Sequence, residues 1–157
     1  MLYADSFPIR AAGHADSAAL LAMMRLSNSA EGIEIDRERL AAGLAKLLDS
    51  LELGAVLIAG PAEEPLGYAV VTFGFDLELG GRDAFLTELF VRARERRCGV
   101  GRRLLAAAEA HALASGAAAL HLAVRPENEP AFDLYRASGF EPLLRVLLSK
   151  RLGPRPR

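Results

Sequence analysis

The chain has 157 residues, enough for one domain with a real core and too few for two. With 52% hydrophobic and 25% charged residues it falls in the ordinary globular class, which excludes disordered and collagen-like chains. Nineteen Lys and Arg against 20 Asp and Glu leave a net charge of −1, so no molecule-wide field would hold the chain to nucleic acid or to an anionic membrane.

The single cysteine, Cys98, excludes an intrachain disulfide framework and a Cys-based zinc site. Residues 1–10 lack a basic n-region and an apolar h-region. No apolar run approaches the roughly 20 residues of a membrane span. A cytoplasmic location without membrane attachment is therefore expected.

Residues 7–11 read as a short strand. Residues 16–27 follow with Ala19, Leu20, Met23, Met24 and Leu26 at helical spacing and Asp16 as the cap. A second helix over 37–48 carries Leu40, Leu44, Leu47 and Leu48 and is capped by Asp36. The apolar run 54–59 and the Val-, Thr-, Tyr- and Phe-rich run 66–75, separated by Gly60, Pro61 and Pro65, predict two strands in a hairpin. Gly80-Gly81 signals a turn before a third strand over 83–91, where Phe85, Thr87, Leu89 and Val91 alternate with Leu86, Glu88 and Phe90. From Gly99 the period becomes helical through Val100, Leu104, Leu105, Ala108 and Ala112, and Ser115-Gly116 stops it. A strand over 119–124 comes next. Asn128 then caps a helix with Pro130 in its first turn and Ala131, Leu134, Tyr135 and Ser138 on one face, ending at Gly139. A last strand over 140–148 completes the order, leaving 152–157 as a loose tail on a single domain spanning 1–157 with its core at about 8–148. The fold class is α/β of the α+β type.

The stretch Arg96-Arg97-Cys98-Gly99-Val100-Gly101-Arg102-Arg103 joins a strand to a helix. Glycines at a helix start let backbone N–H groups approach an anion, and the helix dipole favours it. Six arginines from Arg92 to Arg103 face Glu95 alone within that window, so the rim is locally cationic and suits a compact polyanion such as a pyrophosphate. A solvated arginine face explains the same cluster, and spacing alone leaves both readings open. The absence of Lys-Ser/Thr after the glycines excludes a P-loop, and the missing first glycine excludes a dinucleotide-binding Gly-x-Gly-x-x-Gly.

Arg96-x-x-Gly99-x-Gly101 resembles the Arg/Gln-x-x-Gly-x-Gly/Ala acetyl-CoA signature of the GNAT acetyltransferase superfamily, and it follows a strand ending Leu89-Phe90-Val91 as the family motif does. Asn128-Glu129-Pro130-Ala131-Phe132-Asp133-Leu134-Tyr135, through Gly139-Phe140, is similar to that family's asparagine helix, tyrosine and following Gly-Phe. The element order matches over residues 8–148. Arg97 is a departure, since many members have glycine there.

The resemblance implies the GNAT fold: a mixed, largely antiparallel sheet splayed at a parallel strand pair, with helices on both faces. It implies acetyl-CoA as co-substrate, its pantetheine arm along Leu89, Phe90 and Val91. The pyrophosphate would lie on Arg96, Arg97, Cys98, Gly99, Val100, Gly101 and Arg102, with Asn128 and Ala131 contacting the coenzyme from the other side. The implied reaction is attack by a primary amine on a thioester in a ternary complex. An alkylammonium has a pKa of about 10.4, so a base must first remove a proton. Glu88, the one acid among apolar neighbours beside the expected thioester, is the candidate base; a satisfied structural carboxylate is the alternative. Tyr135 is the candidate acid for the leaving thiolate, against a half-buried helix tyrosine. Cys98 reads as loop packing, and His14, His111 and His121 are scattered without metal-ligand spacing, so no metal is expected.

In this family the connection after the first helix and the hairpin loops form the acceptor wall. Glu31, Glu34 and Asp76 stand there, and no basic residue occurs from Asn28 to Asp36, so an acidic wall for a small cationic amine is expected, against solvated carboxylates and a cap. The Asn128-Glu129-Pro130 block also resembles the diamine and polyamine acetyltransferase branch. An acyl-CoA sensor without turnover and an enzyme for protein or peptide amines are the competing readings. The balanced charge and the lack of interleaved aromatics argue against nucleic-acid binding. Family relatives leave a homodimer open.

Overall fold

The structure is a computed structural model that describes residues 7–153, so residues 1–6 and the end of the expected tail, 154–157, lie outside it. In chain order the elements are β1 (Ile9–Ala11), α1 (Ser17–Ala30), α2 (Arg37–Asp49), β2 (Gly54–Ala59), β3 (Gly67–Asp76), β4 (Gly81–Val91), α3 (Val100–Ala114), β5 (Leu120–Leu122) and α4 (Glu129–Ala137). Short 3-10 turns stand at His14–Asp16 and Ala93–Glu95. The described residues form two compact units, the first ending at Ala123 and the second beginning at Val124. Among them no helix is long and apolar enough to cross a membrane.

The first unit holds one five-stranded sheet in the order β1-β2-β3-β4-β5. Its first three pairings are antiparallel, and β4 pairs β5 in parallel. The helices cover both faces. On one, Leu20, Met23 and Met24 of α1 and Leu44 of α2 pack against Val56, Ile58, Tyr68, Val70 and Phe90. Each such buried apolar side chain contributes roughly 1.5–3 kcal/mol. The other face receives α3, whose Leu104 lies so close to Gly67 that a β-carbon there would stand 3.3 Å from it. His111 of α3 stacks on Phe73 of β3 at 6.1 Å on this face.

Two end signals act differently from one another. Asp36 caps α2 as expected, accepting from the Glu38 and Arg39 amides at 2.8 and 3.0 Å. Asp16 holds the N-cap position of α1 but makes no cap bond to it. Its buried carboxylate instead accepts from the Arg10 guanidinium at 2.7 and 2.8 Å and from the Gly13 amide at 2.9 Å. A bidentate cation outcompetes a single helix amide, so this residue ties β1 to α1 rather than starting the helix.

In the second unit Asn128 caps α4, accepting from the Ala131 amide at 3.3 Å, with Pro130 in the first turn. Gly139 ends the segment at φ +91°, in the left-handed region that glycine adopts freely. The expected strand over 140–148 is not formed, and Leu143, Leu144, Val146, Leu147 and Leu148 are 66–104% exposed. Strand-prone residues need a neighbouring ladder, and the described residues supply none to this segment.

Candidate functional site

β4 carries the residues on which the site is built, and its register with β3 decides where they point. Val70 pairs with Glu88 and Val71 with Leu86, so Thr87 is an extra residue in β4, a bulge. Strict alternation would put Leu86, Glu88 and Phe90 on one face. The bulge breaks that parity: Leu86 stays opposite Val71 toward α3, while Glu88 and Phe90 stand opposite Val70 and Tyr68 toward α1 and α2. The Thr87 hydroxyl donates to the Val70 carbonyl at 3.4 Å across the irregularity.

The bulge coincides with the end of the β4–β5 pairing. The parallel ladder joins Ala84 to Leu120, Phe85 to His121 and Leu86 to Leu122, and within this unit it goes no further. From Thr87 to Val91 one edge of β4 therefore has no ladder partner in the unit. At that edge the Leu89 N–H and C=O and the Val91 N–H are open, which suits an amide-bearing chain laid along the strand, while the Phe90 groups face β3 and the Val91 carbonyl accepts from Arg96.

Past β4, Arg96, Arg97, Cys98 and Gly99 form an exposed turn leading into α3. Gly99 is the N-cap at φ +84°, and no side chain caps the helix. The amides of Val100, Gly101 and Arg102 thus lie at a helix start that lacks internal partners, and, its chain neighbours aside, none of the described residues comes within 4 Å of where a β-carbon on Gly99 would be. Open amides, dipole and space together fit a pyrophosphate. Arg97 takes φ +64°, the conformation that glycine adopts at no steric expense. The Cys98 thiol, exposed rather than packed, lies 3.5 Å from the Arg96 carbonyl.

The arginine cluster is less uniform than it reads in sequence. Arg92 donates through Nε to the Pro65 carbonyl at 2.7 Å, and Arg96 through Nε to the Val91 carbonyl at 3.1 Å. Arg94 pairs with Glu64 and with Glu95, and Arg103 lies over the Phe7 ring at 4.1 Å. Arg97 and Arg102 are left facing solvent for an anion. Glu64, thirty residues from Arg94, lies beyond any local window.

Glu88 is half-buried, and one of its oxygens, Oε2, accepts from the Tyr68 hydroxyl at 2.6 Å. Tyr68 is fully buried, with its ring tilted against Phe90 at 5.7 Å. Burial, and after it the charge of Glu88, push the phenol well above its ordinary range, while Ser27 of α1 opposes this. Tyr68 is the candidate site residue that sequence reasoning missed. Its signal, a polar atom in an apolar β3 run, acquires meaning only through the register with β4.

The expected acceptor wall is divided. Glu31 follows Ser27 by one helical turn and so shares its face of α1. Glu34 instead lines a cleft of about 590 Å³ with Arg25, Asn28, Ser29, Ile35 and Arg37. Arg25 and Arg37 flank the window from Asn28 to Asp36 and make this cleft other than acidic. Arg25, Asn28 and Ser29 also lie on the side of α1 away from Leu20, Met23 and Ser27, since 100° per residue separates the two sets by roughly half a turn. Asp76 accepts from the Glu78 and Leu79 amides at 2.7 and 3.3 Å, closing the β3–β4 turn. It stands six residues along β3 from Val70, the partner of Glu88, or roughly 20 Å. Asp76 is therefore a turn residue remote from Glu88.

In the second unit Asn128, Ala131 and Tyr135 all sit on the α4 segment. The half-buried Tyr135 ring meets Phe140 edge-on at 5.9 Å, and burial raises its hydroxyl pKa, so at neutral pH it keeps its proton.

Comparison with known proteins places these features. The profile of the Acetyltransferase (GNAT) family matches residues 20–140. The thialysine N-epsilon-acetyltransferase of Bos taurus is 34% identical over 95 residues, 58% of this chain and 55% of that protein, so the chain spans about half the length of this curated relative. A protein of Arthrobacter sp. FB24 described as an acetyltransferase has 33% identity and a TM-score of 0.78, with 91% of this chain and 96% of that one covered. The aminoglycoside N-acetyltransferase AAC(6')-Iy in complex with CoA shares the fold at a TM-score of 0.80 and 21% identity, over 94% and 95% of the two chains. The family match runs across both sequence blocks, the β4–α3 turn and the α4 helix, and the chain belongs to the GNAT acetyltransferase family.

Proposed function

We propose that this chain is an N-acetyltransferase that moves an acetyl group from acetyl-CoA to the primary amine of a small cationic molecule, by direct attack in a ternary complex. The observation that carries the reading is the junction of β4 and α3, where an unpaired strand edge leads into an uncapped, glycine-opened helix start. Bound there, acetyl-CoA would supply the thioester. Leu89, Phe90 and Val91 would hold its amide-bearing arm, and the amides of Val100, Gly101 and Arg102, with Arg96, Arg97 and Cys98 around them, would hold its pyrophosphate. Asn128 and Ala131 are the proposed contacts from α4.

Glu88 takes a proton from the bound ammonium, directly or through water. Tyr135, protonated at neutral pH, delivers one to the leaving sulfur. Glu31 and Glu88 attract the cation by charge, as carboxylates do in a partly desolvated site. The bovine relative's activity as a thialysine N-epsilon-acetyltransferase and the aminoglycoside acetyltransferase among the fold neighbours agree with a small amine as acceptor. We also propose a homodimer and a cytoplasmic location. The five exposed apolar residues from Leu143 to Leu148 are the surface a second copy would cover, and light scattering should give twice the 16.8 kDa chain mass. A monomer at micromolar concentration would remove the dimer.

The test is thiol release from acetyl-CoA with a panel of amines: 1,4-diaminobutane, spermidine, free lysine and a lysine-containing peptide. Tyr135→Phe is expected to lower kcat about 10²-fold while leaving coenzyme affinity within about twofold. Tight coenzyme binding with no thiol release from any amine would favour a sensor instead. Unchanged turnover in Tyr135→Phe would take Tyr135 out of the reaction.

A further inference from the structure

We infer that Tyr68 is a positioning residue for the acetyl transfer: it pins one oxygen of the Glu88 carboxylate and thereby assigns the other, Oε1, as the atom that receives the amine proton. The inference rests on the reading of Glu88 as base.

Three features support it. The Tyr68 hydroxyl donates to Glu88 Oε2 at 2.6 Å, within the short range of a charge-assisted O–H···O bond. The donor itself is immobile, because Tyr68 is fully buried, its ring rests on Phe90, and β3 and β4 pair Tyr68 with Phe90 two residues from Glu88. The phenol is held far above its ordinary range by burial and by the facing charge, so it stays a donor across the working pH range and cannot itself take the proton.

The other oxygen is differently placed. Oε1 has no hydrogen-bond partner among the described residues, and it is not among the sealed, unpartnered polar atoms, which are Asp83 Oδ1 and Arg103 Nη1. One oxygen is anchored and the other remains accessible. A glutamate that could rotate freely would spend much of its time in unproductive rotamers, and fixing a reacting group in place raises the rate. The Thr87 bulge is what brings Glu88 to the Tyr68 face at all. Phenylalanine would fill the same core volume, so the hydroxyl is the part of Tyr68 that the packing does not require.

The step balances. One N–H proton passes from the ammonium to Glu88 Oε1, directly or through water. The freed nitrogen lone pair forms the C–N bond to the thioester carbonyl carbon. The nitrogen, cationic after this attack, gives its second proton to water as the C–S bond breaks with its electron pair on sulfur, which leaves a neutral amide. The sulfur takes the Tyr135 proton, Tyr135 regains one from solvent and Glu88 releases its own to solvent, so each turnover frees one proton.

A double-mutant cycle tests the inference, using acetyl-CoA with the amine from the panel above that gives the fastest thiol release. Tyr68→Phe is expected to lower kcat about tenfold with both KM values within about twofold. In the Glu88→Gln background the same change is expected to leave kcat unaltered, because a residue acting through Glu88 has nothing left to position. An equal fall in both backgrounds, or no fall in the presence of Glu88, overturns the inference while leaving Glu88 as base. Full kcat in Glu88→Gln alone overturns the base assignment instead, and no thiol release with any amine overturns both. Should Tyr68→Phe not fold, 3-fluorotyrosine at position 68 keeps the hydroxyl and changes its acidity. It should then alter kcat in the protein that retains Glu88 and leave it unaltered in the Glu88→Gln protein; an equal response in both again overturns the inference.

Discussion

At Arg97 the backbone sits at φ +64° in a residue with a β-carbon, within a turn that otherwise offers its amides to an anion. The left-handed conformation is unfavourable by about 1–2 kcal/mol for most L-residues, and the extra unfolded-state freedom of glycine offsets part of any gain from replacing it. Arg97→Gly is therefore expected to stabilise the fold by ~0.5–1 kcal/mol, a rise of about 1–4 °C in Tm for a chain this size. Arg97→Ala keeps the strain and removes the charge, so it should weaken acetyl-CoA binding without that rise. Equal Tm values for the glycine and alanine variants would contradict the conformational account. Glu88 stood out in sequence as the one acid among apolar neighbours toward the end of its strand. Tyr68 was not, because its pairing with Glu88 depends on a register that no local pattern encodes.

Among the elements, the helices and the strands β2, β3 and β4 were legible because periodicity and turn residues are local signals. The bulge at Thr87 left no such signal, and it reverses the face on which Glu88 stands. The segment 140–148 shows the opposite failure: apolar, strand-prone residues read as a strand, but a strand exists only where a neighbour supplies a ladder. Close approach of elements also sets limits. A β-carbon on Gly67 would collide with the Phe90 carbonyl oxygen, at the end of β4 proposed to hold the coenzyme arm. Gly67→Ala should destabilise by about 1–3 kcal/mol in chemical denaturation and weaken coenzyme binding; unchanged values for both would contradict the packing described. The tie between β1 and α1 carries a pH signature. The Arg10 guanidinium first, and the Gly13 amide after it, hold the Asp16 carboxyl at about 2, below its ordinary range. A carboxyl with a depressed folded-state pKa stabilises the fold above its unfolded value of about 3.9, and that contribution is lost as pH falls toward 2. With Arg10 partly exposed, the contribution is roughly 1–2 kcal/mol. Denaturation at pH 6 and at pH 2.5 should show Asp16→Asn less stable than the parent at pH 6, with the gap narrowing at pH 2.5. A gap that does not change with pH would contradict this assignment.

For the whole molecule, the balanced charge excluded a polyanion-binding surface spread over the chain, and the structure shows how local the cationic rim is. Four of the six arginines from Arg92 to Arg103 are engaged by carbonyls, carboxylates or a ring. Arg97 and Arg102 stand beside the open amides of α3. What sequence supplied was the motif and its place after a strand. What it could not supply was which cations remain free, because Glu64 and Phe7 come from distant parts of the chain. The proposed acetyl-CoA site at the junction of β4 and α3 is tested most directly by thermal unfolding with and without acetyl-CoA. Ligand at about 100 times its dissociation constant should stabilise the fold by roughly 2.7 kcal/mol, an upward shift of about 5–10 °C. Gly99→Glu places a carboxylate and a strained left-handed residue at the helix start, beside the amides that would hold the pyrophosphate, so it should abolish most of that shift. No shift in the parent protein at millimolar acetyl-CoA, or an undiminished shift in Gly99→Glu, would contradict a coenzyme site at this junction.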